Sequence, residues 1–242
     1  MTYFLVDGSE NCFYTAVFDA YKNKDCMITS ERNVQLGLGF EVNDVVTDEN
    51  KAERVKAKVN ALDKGAAEDI SLLLRSDNPL KENVAFEYIK LIISNGGAVR
   101  AMLANPTVIE MTEIRTRVFG EAHRMKGFLR FMESAEKIMY APYSPDNDIT
   151  DILAVHFAAR LGGQPFVIHD IKRKLAAMYD GQEIVMTRAD DAEIYLSEYE
   201  SYFQELWKQY YNSVNIASRP HEKQMRGSMP VRYWKFLPEK RQ

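Results

Sequence analysis

The chain has 242 residues, 46% of them hydrophobic and 27% charged, enough for one large or two small domains whose core needs no disulfide or metal staple. Thirty-one Lys and Arg against 35 Asp and Glu give a formal charge of -4 and a pI near 5.7, which excludes a polycation that holds nucleic acid by bulk charge. Only Cys12 and Cys26 occur, with no CxxC and no His at ligand spacing, so both read as reduced thiols and neither a disulfide framework nor a zinc finger is supported. No apolar run approaches the roughly 18 to 20 residues that a membrane span needs. The opening MTYFLVDGSENCFY lacks a basic leader, a long apolar stretch and a small-residue cleavage site. A cytoplasmic location without membrane contact is the expectation.

Tyr3 to Val6 reads as a short strand stopped by Asp7-Gly8, and Phe13, Val17, Ala20 and Tyr21 recur at helical spacing behind it. From Asp48, a helix cap, the sequence turns helix-rich: NKAERVKAKVNAL, AAEDISLLLRS, then ENVAFEYIKLIISN closed by Gly96-Gly97. No phosphate loop and no repeat occurs in this part. Asn105-Pro106 marks a boundary, beyond which Met111, Ile114, Val118, Ala122 and Met125 share one helix face. GFLRFMES and KIMYAPY read as two strands, with Gly127 at a helix-to-strand corner that favours positive φ. The Pro-Asp-Asn-Asp stretch after Ser144 supplies turn and cap residues, DITDILAVHFAARLGG an amphipathic helix and PFVIHD a strand. Asp180-Gly181 between two apolar runs is the strongest hairpin signal. A long Tyr-rich helix from about Asp191 to Asn212 follows. The expected fold is α+β: a helix-rich region over 1–104, opened by a strand and a helix, then an antiparallel sheet with packed helices and a basic tail over 105–242.

All four histidines, His123, His156, His169 and His221, lie in the second half, each near a basic side chain. Arg115 to Arg130 holds five basic residues against one acidic, and Arg219 to Arg241 holds seven against two. The negative total therefore hides two basic islands, and Arg232-Tyr233-Trp234 in the second adds stacking surface to phosphate-seeking charge. The competing reading is a solvated basic tail. His156 and Arg160 stand four apart on one helix face, where the guanidinium would depress the imidazole pKa and leave a neutral base. His169-Asp170 ends a buried strand and opens into Ile-Lys-Arg-Lys, a turn that could hold phosphate or serve as a plain charged turn. No ligand spacing points to a metal, and no GxSxG, Ser-Lys or Cys-His arrangement suggests covalent hydrolysis.

The runs EAHRMKGFLRF, YAPYSPDND, AVHFAARLG, QPFVIHDIKRKLAAMYDG and IASRPHEKQMRGSMPVRYWKFLPE, with YFLVDGSENCFYTAVFDAY at the N-terminus, resemble a bacterial family that carries a domain of unknown function and is labelled a DNA metabolism or DNA repair protein. The likeness covers nearly the whole chain. It implies an association with DNA repair, with members encoded beside a radical-SAM protein and the same domain fused elsewhere to uracil-DNA glycosylase-type domains. The matching positions are His123, Arg124, Lys126, Gly127, Phe128, Arg130 and Phe131, then His156, Phe157 and Arg160, then His169, Asp170 and Arg173, and finally Arg232, Tyr233 and Trp234.

Three functional readings follow. In the first, a groove lined by His123, Arg124, Lys126, Arg130, His156, Arg160, His169, Asp170, Arg173, Arg232, Tyr233 and Trp234 binds DNA or a nucleotide, and the protein acts with a radical-SAM partner. In the second, the Tyr-rich helix docks that partner without catalysis. In the third, His156 or His169 is the general base of a hydrolase or glycosylase, which requires an acid beside the imidazole. Convergence of His123, His156 and His169 in space would separate a site from three unrelated side chains.

Overall fold

The structure, a computed structural model, describes residues 1–32, 39–190, 194–214 and 222–240. The chain divides into two compact units, Met1–Phe119 and Gly120–Gln242. Among the described residues no helix is long and apolar enough to cross a membrane.

The first unit opens with β1 (Thr2–Leu5), and Gly8 takes φ +89° in the turn behind it. The Asp7 carboxylate accepts the Ser9 N–H at 2.7 Å, and Ser9 in turn caps α1 (Glu10–Ala20) by accepting from Cys12 N–H. Strands β2 (Cys26–Thr29) and β3 (Glu41–Asp44) both pair with β1 in parallel, in the order β2-β1-β3. Parallel neighbours need a crossover, and α1 supplies it between β1 and β2. Sequence reading assigned nothing to β2 and β3, because four residues of CMIT or of the fully exposed EVND carry no alternation to detect. Helix α2 (Glu49–Leu62) starts where Asp48 accepts from Asn50 and Lys51 N–H. Helices α3 (Ala66–Leu74) and α4 (Lys81–Asn95) follow, and α4 ends at Gly96 with φ +70°. Phe13, Tyr14, Ile28, Leu73, Phe86 and Ile89 fill the core.

Helix α5 (Pro106–Phe128) contains the division between units. Asn105 caps it, accepting Thr107 N–H at 2.9 Å, with Pro106 at the first helical position, where its missing N–H is harmless. The apolar row is buried as its spacing predicts: Met111, Ile114 and Val118 in the first unit, Ala122 and Met125 in the second. Gly127 and Phe128 are the last turn of α5 rather than a strand, and Gly127 has no positive φ. The strand expected over GFLRFMES shrinks to β4 (Met132–Glu133).

The second unit is a five-stranded sheet in the order β4-β5-β6-β7-β8, with β5 (Met139–Tyr143), β6 (Phe166–Asp170), β7 (Leu175–Tyr179) and β8 (Ile184–Arg188). It is antiparallel except for β5 and β6, which run parallel across α6 (Thr150–Leu161). Met139 N–H and Tyr143 C=O both bond toward β6, so alternation turns the N-side of Pro142 toward β4. There β4 has already ended, since it pairs only with Met139 and Tyr140, and no ladder bond is lost. The Asp180-Gly181 hairpin forms as read, with Gly181 at φ +105°. The cap position of α6 falls on Ile149, whose side chain makes no cap bond, rather than on one of the expected polar residues of the turn. The Tyr-rich helix α7 (Glu200–Val214) begins later than expected. The residues before it are drawn to the sheet, where Leu196 bridges Ser134; Asp191 lies outside the described residues. Helix α8 (Glu222–Ser228) and a 3-10 helix (Val231–Phe236) follow.

Candidate functional site

Four of the segments singled out in the sequence meet at Glu121, a carboxylate on α5 that is 1% exposed. One oxygen accepts Asp146 N–H at 2.9 Å and the Tyr233 hydroxyl; the other accepts the backbone and side-chain N–H of Asn147 at 2.8 and 2.6 Å. Burial pushes the Glu121 pKa up, but the donors from Tyr233, Asp146 and Asn147 outweigh it and hold the carboxyl below the ordinary glutamate value. The Arg232 guanidinium stands 2.5 Å from the Asp146 carboxylate, donates to the Tyr233 hydroxyl at 2.8 Å and lies 4.6 Å from that ring's centre. From the other side Arg173 donates to Asp170 Oδ2 at 2.8 Å, to Pro145 C=O at 3.2 Å and to Asp146 C=O, while Lys172 reaches Asp146 C=O at 3.3 Å. The Ser-Pro-Asp-Asn-Asp turn is thus clamped between α5, the turn after β6 and the 3-10 helix. Asp170, Arg173, Arg232 and Tyr233, read from sequence as ligand-binding groups, are joined to one another and to the fold.

Arg130 is also engaged. It donates to Gly127 C=O at 2.7 Å and to Glu239 at 2.7 Å, and sits 5.0 Å from the Trp207 ring centre. Trp234 donates to Met229 C=O at 3.0 Å. Far from being a solvated tail, residues 231–236 are folded, with Tyr233 2% exposed. His169 spends both ring nitrogens inside the unit: Nε2 donates to Ala189 C=O at 3.1 Å, and Nδ1 lies 2.7 Å from the Tyr140 hydroxyl. A carbonyl only accepts, so Nε2 carries a proton, and with Nδ1 engaged by the Tyr140 hydroxyl neither ring nitrogen is left for a substrate.

The remaining cations stand outside this network, and Arg124 and Lys126, two apart on α5, leave the helix on different faces. The last turns of α5 present His123, Arg124 and Lys126, and α6 presents His156 and Arg160. Among the described residues Arg124, Lys126 and Arg160 have no acidic partner. Burial, then the charges of Lys126 and Arg160, hold the His156 imidazole below its ordinary pKa, as the spacing of four predicted for Arg160. His156 Nε2 is enclosed without a hydrogen-bond partner, and its ring meets Phe157 edge-on at 5.1 Å.

The histidines do not converge. Phe131 joins Phe157 of α6 to Phe166 of β6, at 4.9 and 5.8 Å between ring centres, so α6 covers the Phe166 face of the sheet. Alternation along β6 turns His169 to the opposite face, and the sheet separates it from His156. His221 lies outside the described residues. Among those described, no three His, Cys, Asp or Glu side chains are grouped to hold a metal ion.

Sequence reading missed Glu121, Asp146 and Asn147. Their one signal was a lone acid in a basic run and a turn rich in N–H groups. Nothing local joins them, since the partners of Glu121 lie 25, 26 and 112 residues away.

Residues 79–239 match a family described as Domain of unknown function (DUF4130). No curated protein and no solved structure matches the chain.

Proposed function

The chain belongs to the DUF4130 family, and we propose that its second unit binds DNA or a nucleotide through the unpaired cations at the end of α5 and on α6, in the service of DNA metabolism or repair with a radical-SAM partner. The observation that carries this reading is the partition of charge. Arg130, Arg173 and Arg232 are each tied to a carboxylate, whereas among the described residues Arg124, Lys126 and Arg160 have none, and Lys126 and Arg160 stand beside a neutral His156. Lys126 of α5 and Arg160 of α6 both bear on His156, and unpaired side-chain cations that share a neighbourhood suit phosphates, which dominate nucleic-acid affinity. The test is anisotropy of labelled single- and double-stranded DNA against salt. Binding should weaken linearly on a log scale as salt rises, and disappear in Arg124→Ala with Arg160→Ala. Failure to bind any DNA at low salt refutes it.

A second reading is favoured by α7. Tyr202, Phe203, Leu206, Trp207, Tyr210 and Val214 are 38 to 61% exposed along one helix, and aromatic area of this kind is enriched at protein interfaces. In this reading α7 docks the radical-SAM partner. Co-purification with that protein, lost in Tyr202→Asp with Tyr210→Asp and unchanged in the basic-residue variants, would support it. The hydrolase alternative draws no such support. An imidazole base is oriented by an acid, and among the described residues neither His156 nor His169 has a carboxylate partner.

A further inference from the structure

In the first unit a cavity of about 720 Å³ opens between α1, α2 and the end of α4. Its apolar wall is Val17, Val55 and Ile93, and its aromatic wall is Phe18 and the 40% exposed Tyr21. Three cations, Lys22, Arg54 and Lys58, line it as well. Its one acid is already spent: Asp19 takes the Lys51 ammonium at 2.7 and 3.1 Å. Among the described residues Lys22, Arg54 and Lys58 meet no carboxylate, and the Arg54 guanidinium rests 4.9 Å from the Phe18 ring centre.

This arrangement is costly for the helix that carries it. Arg54 and Lys58 are four apart on α2 and Lys51 is three before Arg54, a stripe of like charge on one face that weakens a helix unless something neutralises it. Asp19 neutralises Lys51 alone. A chain with an excess of acid has nonetheless placed three uncompensated cations around an apolar, aromatic recess. The volume falls within the range of small-molecule sites, which pair an apolar wall with a few placed polar groups.

We propose that this cavity binds a nucleotide, its base against Phe18, Tyr21 and the apolar wall and its phosphate held by Lys22, Arg54 and Lys58. The site shares no residue with the cationic surface of the second unit. Free nucleotide and the phosphorylated end of a DNA strand offer the same chemistry.

The test is methyl NMR of the full chain, reading Val17, Val55 and Ile93 while adenosine monophosphate, 5′-phosphorylated tetrathymidylate or inorganic phosphate is added. Saturating shifts with the first two, and weaker ones with inorganic phosphate, are expected. The ligand that binds more tightly identifies the source. Arg54→Ala with Lys58→Ala, exposed positions whose change leaves the fold intact, should weaken binding about tenfold or more, as the loss of two charge contacts implies. Tyr21→Ala should weaken the nucleotide but not inorganic phosphate. Absence of shifts at millimolar nucleotide, equal shifts with inorganic phosphate, unchanged affinity in the double variant, or shifts produced only by an acidic peptide would each overturn the assignment. Because the readout sits in the first unit, its failure leaves the DNA-binding reading of the second unit standing, and the reverse.

Discussion

Removing the Glu121 side chain tests whether the turn of residues 144–148 is held by one buried acid. In Glu121→Ala the N–H groups of Asp146 and Asn147, the Asn147 amide and the Tyr233 hydroxyl lose their acceptor. Three of these four donors have their bond in fully buried surroundings. An orphaned buried donor costs about 1 to 1.5 kcal/mol at the low end of the usual range, so three together cost about 3 to 4.5 kcal/mol. Arg232 adds little, since at 3.8 Å from Glu121 it keeps Asp146 at 2.5 Å.

The assay follows from where the chromophores lie. The chain's two tryptophans, Trp207 and Trp234, are both in the second unit, so tryptophan fluorescence in urea reports the unfolding of that unit alone. With a slope of about 1.5 kcal/mol per molar urea for a unit of this size, the midpoint should fall by about 2 to 3 M. Glu121→Gln keeps the shape and one acceptor oxygen, and should cost about half as much. A fall below about 0.5 M in the alanine variant would mean that the turn stands without its acceptor, and would refute the account.

The same network has an acid limit. Glu121 and Glu239 both have pKa values below the ordinary glutamate range, burial being outweighed by their hydrogen bonds and, at Glu239, by Arg130. Their contribution is therefore complete above the unfolded glutamate value and is lost as pH falls through the lowered folded values; urea midpoints by tryptophan fluorescence should drop below about pH 4.5, and a flat profile there would count against it. His156 works in the opposite direction for binding: its depressed pKa leaves it neutral at pH 7, so DNA affinity by anisotropy should rise several-fold, to about threefold or more, as pH falls below 6, and His156→Gln should abolish the rise. Gly181→Ala should destabilise the hairpin by about 1 to 3 kcal/mol, because the residue sits at φ +105° and the new Cβ would lie 2.7 Å from Gly163 C=O; an unchanged urea midpoint would contradict it.

Much of the architecture was legible because its signals are local. Asp48 and Asn105 announce helix starts through side chains that accept their own helix's N–H groups, Gly96 ends α4 by adopting a positive φ, and the α5 row shows through its period. What escaped detection depends on partners distant in sequence. Strands β2 and β3 gain their identity from lying beside β1, β4 is cut to two residues where β5 offers no further pairing, and the turn before α6 is held by Glu121, 25 and 26 residues away, through the N–H groups of Asp146 and Asn147. The candidate site divided in the same way. The effect of Arg160 on His156 is a matter of helical spacing and was readable. That Arg173 and Arg232 are internal clamps, and that His169 is a strut between Tyr140 and Ala189, could not be read, because each depends on a group brought from another segment.

The same distinction sharpens what the basic residues of this family signature do. A cation next to a buried carboxylate has no field to offer a phosphate, while its removal leaves that carboxylate desolvated and alone; an unpaired surface cation has the reverse properties. Arg173 is of the first kind, 2.8 Å from an Asp170 that is fully buried. Arg160 is of the second, exposed and without an acidic partner among the described residues. Arg173→Ala should therefore cost about 2 to 4 kcal/mol of second-unit stability, somewhat below the usual range for a broken buried pair because the arginine is itself partly solvated, and should leave the salt slope of DNA binding by folded protein unchanged. Arg160→Ala should leave the urea midpoint within about 0.3 M while lowering the salt slope by about 0.7 to 0.9, the share of one phosphate contact. If both variants lowered the slope alike, the pairing seen at Arg173 would not be what withholds it from a ligand, and the partition of cations would fail as a guide to the binding surface.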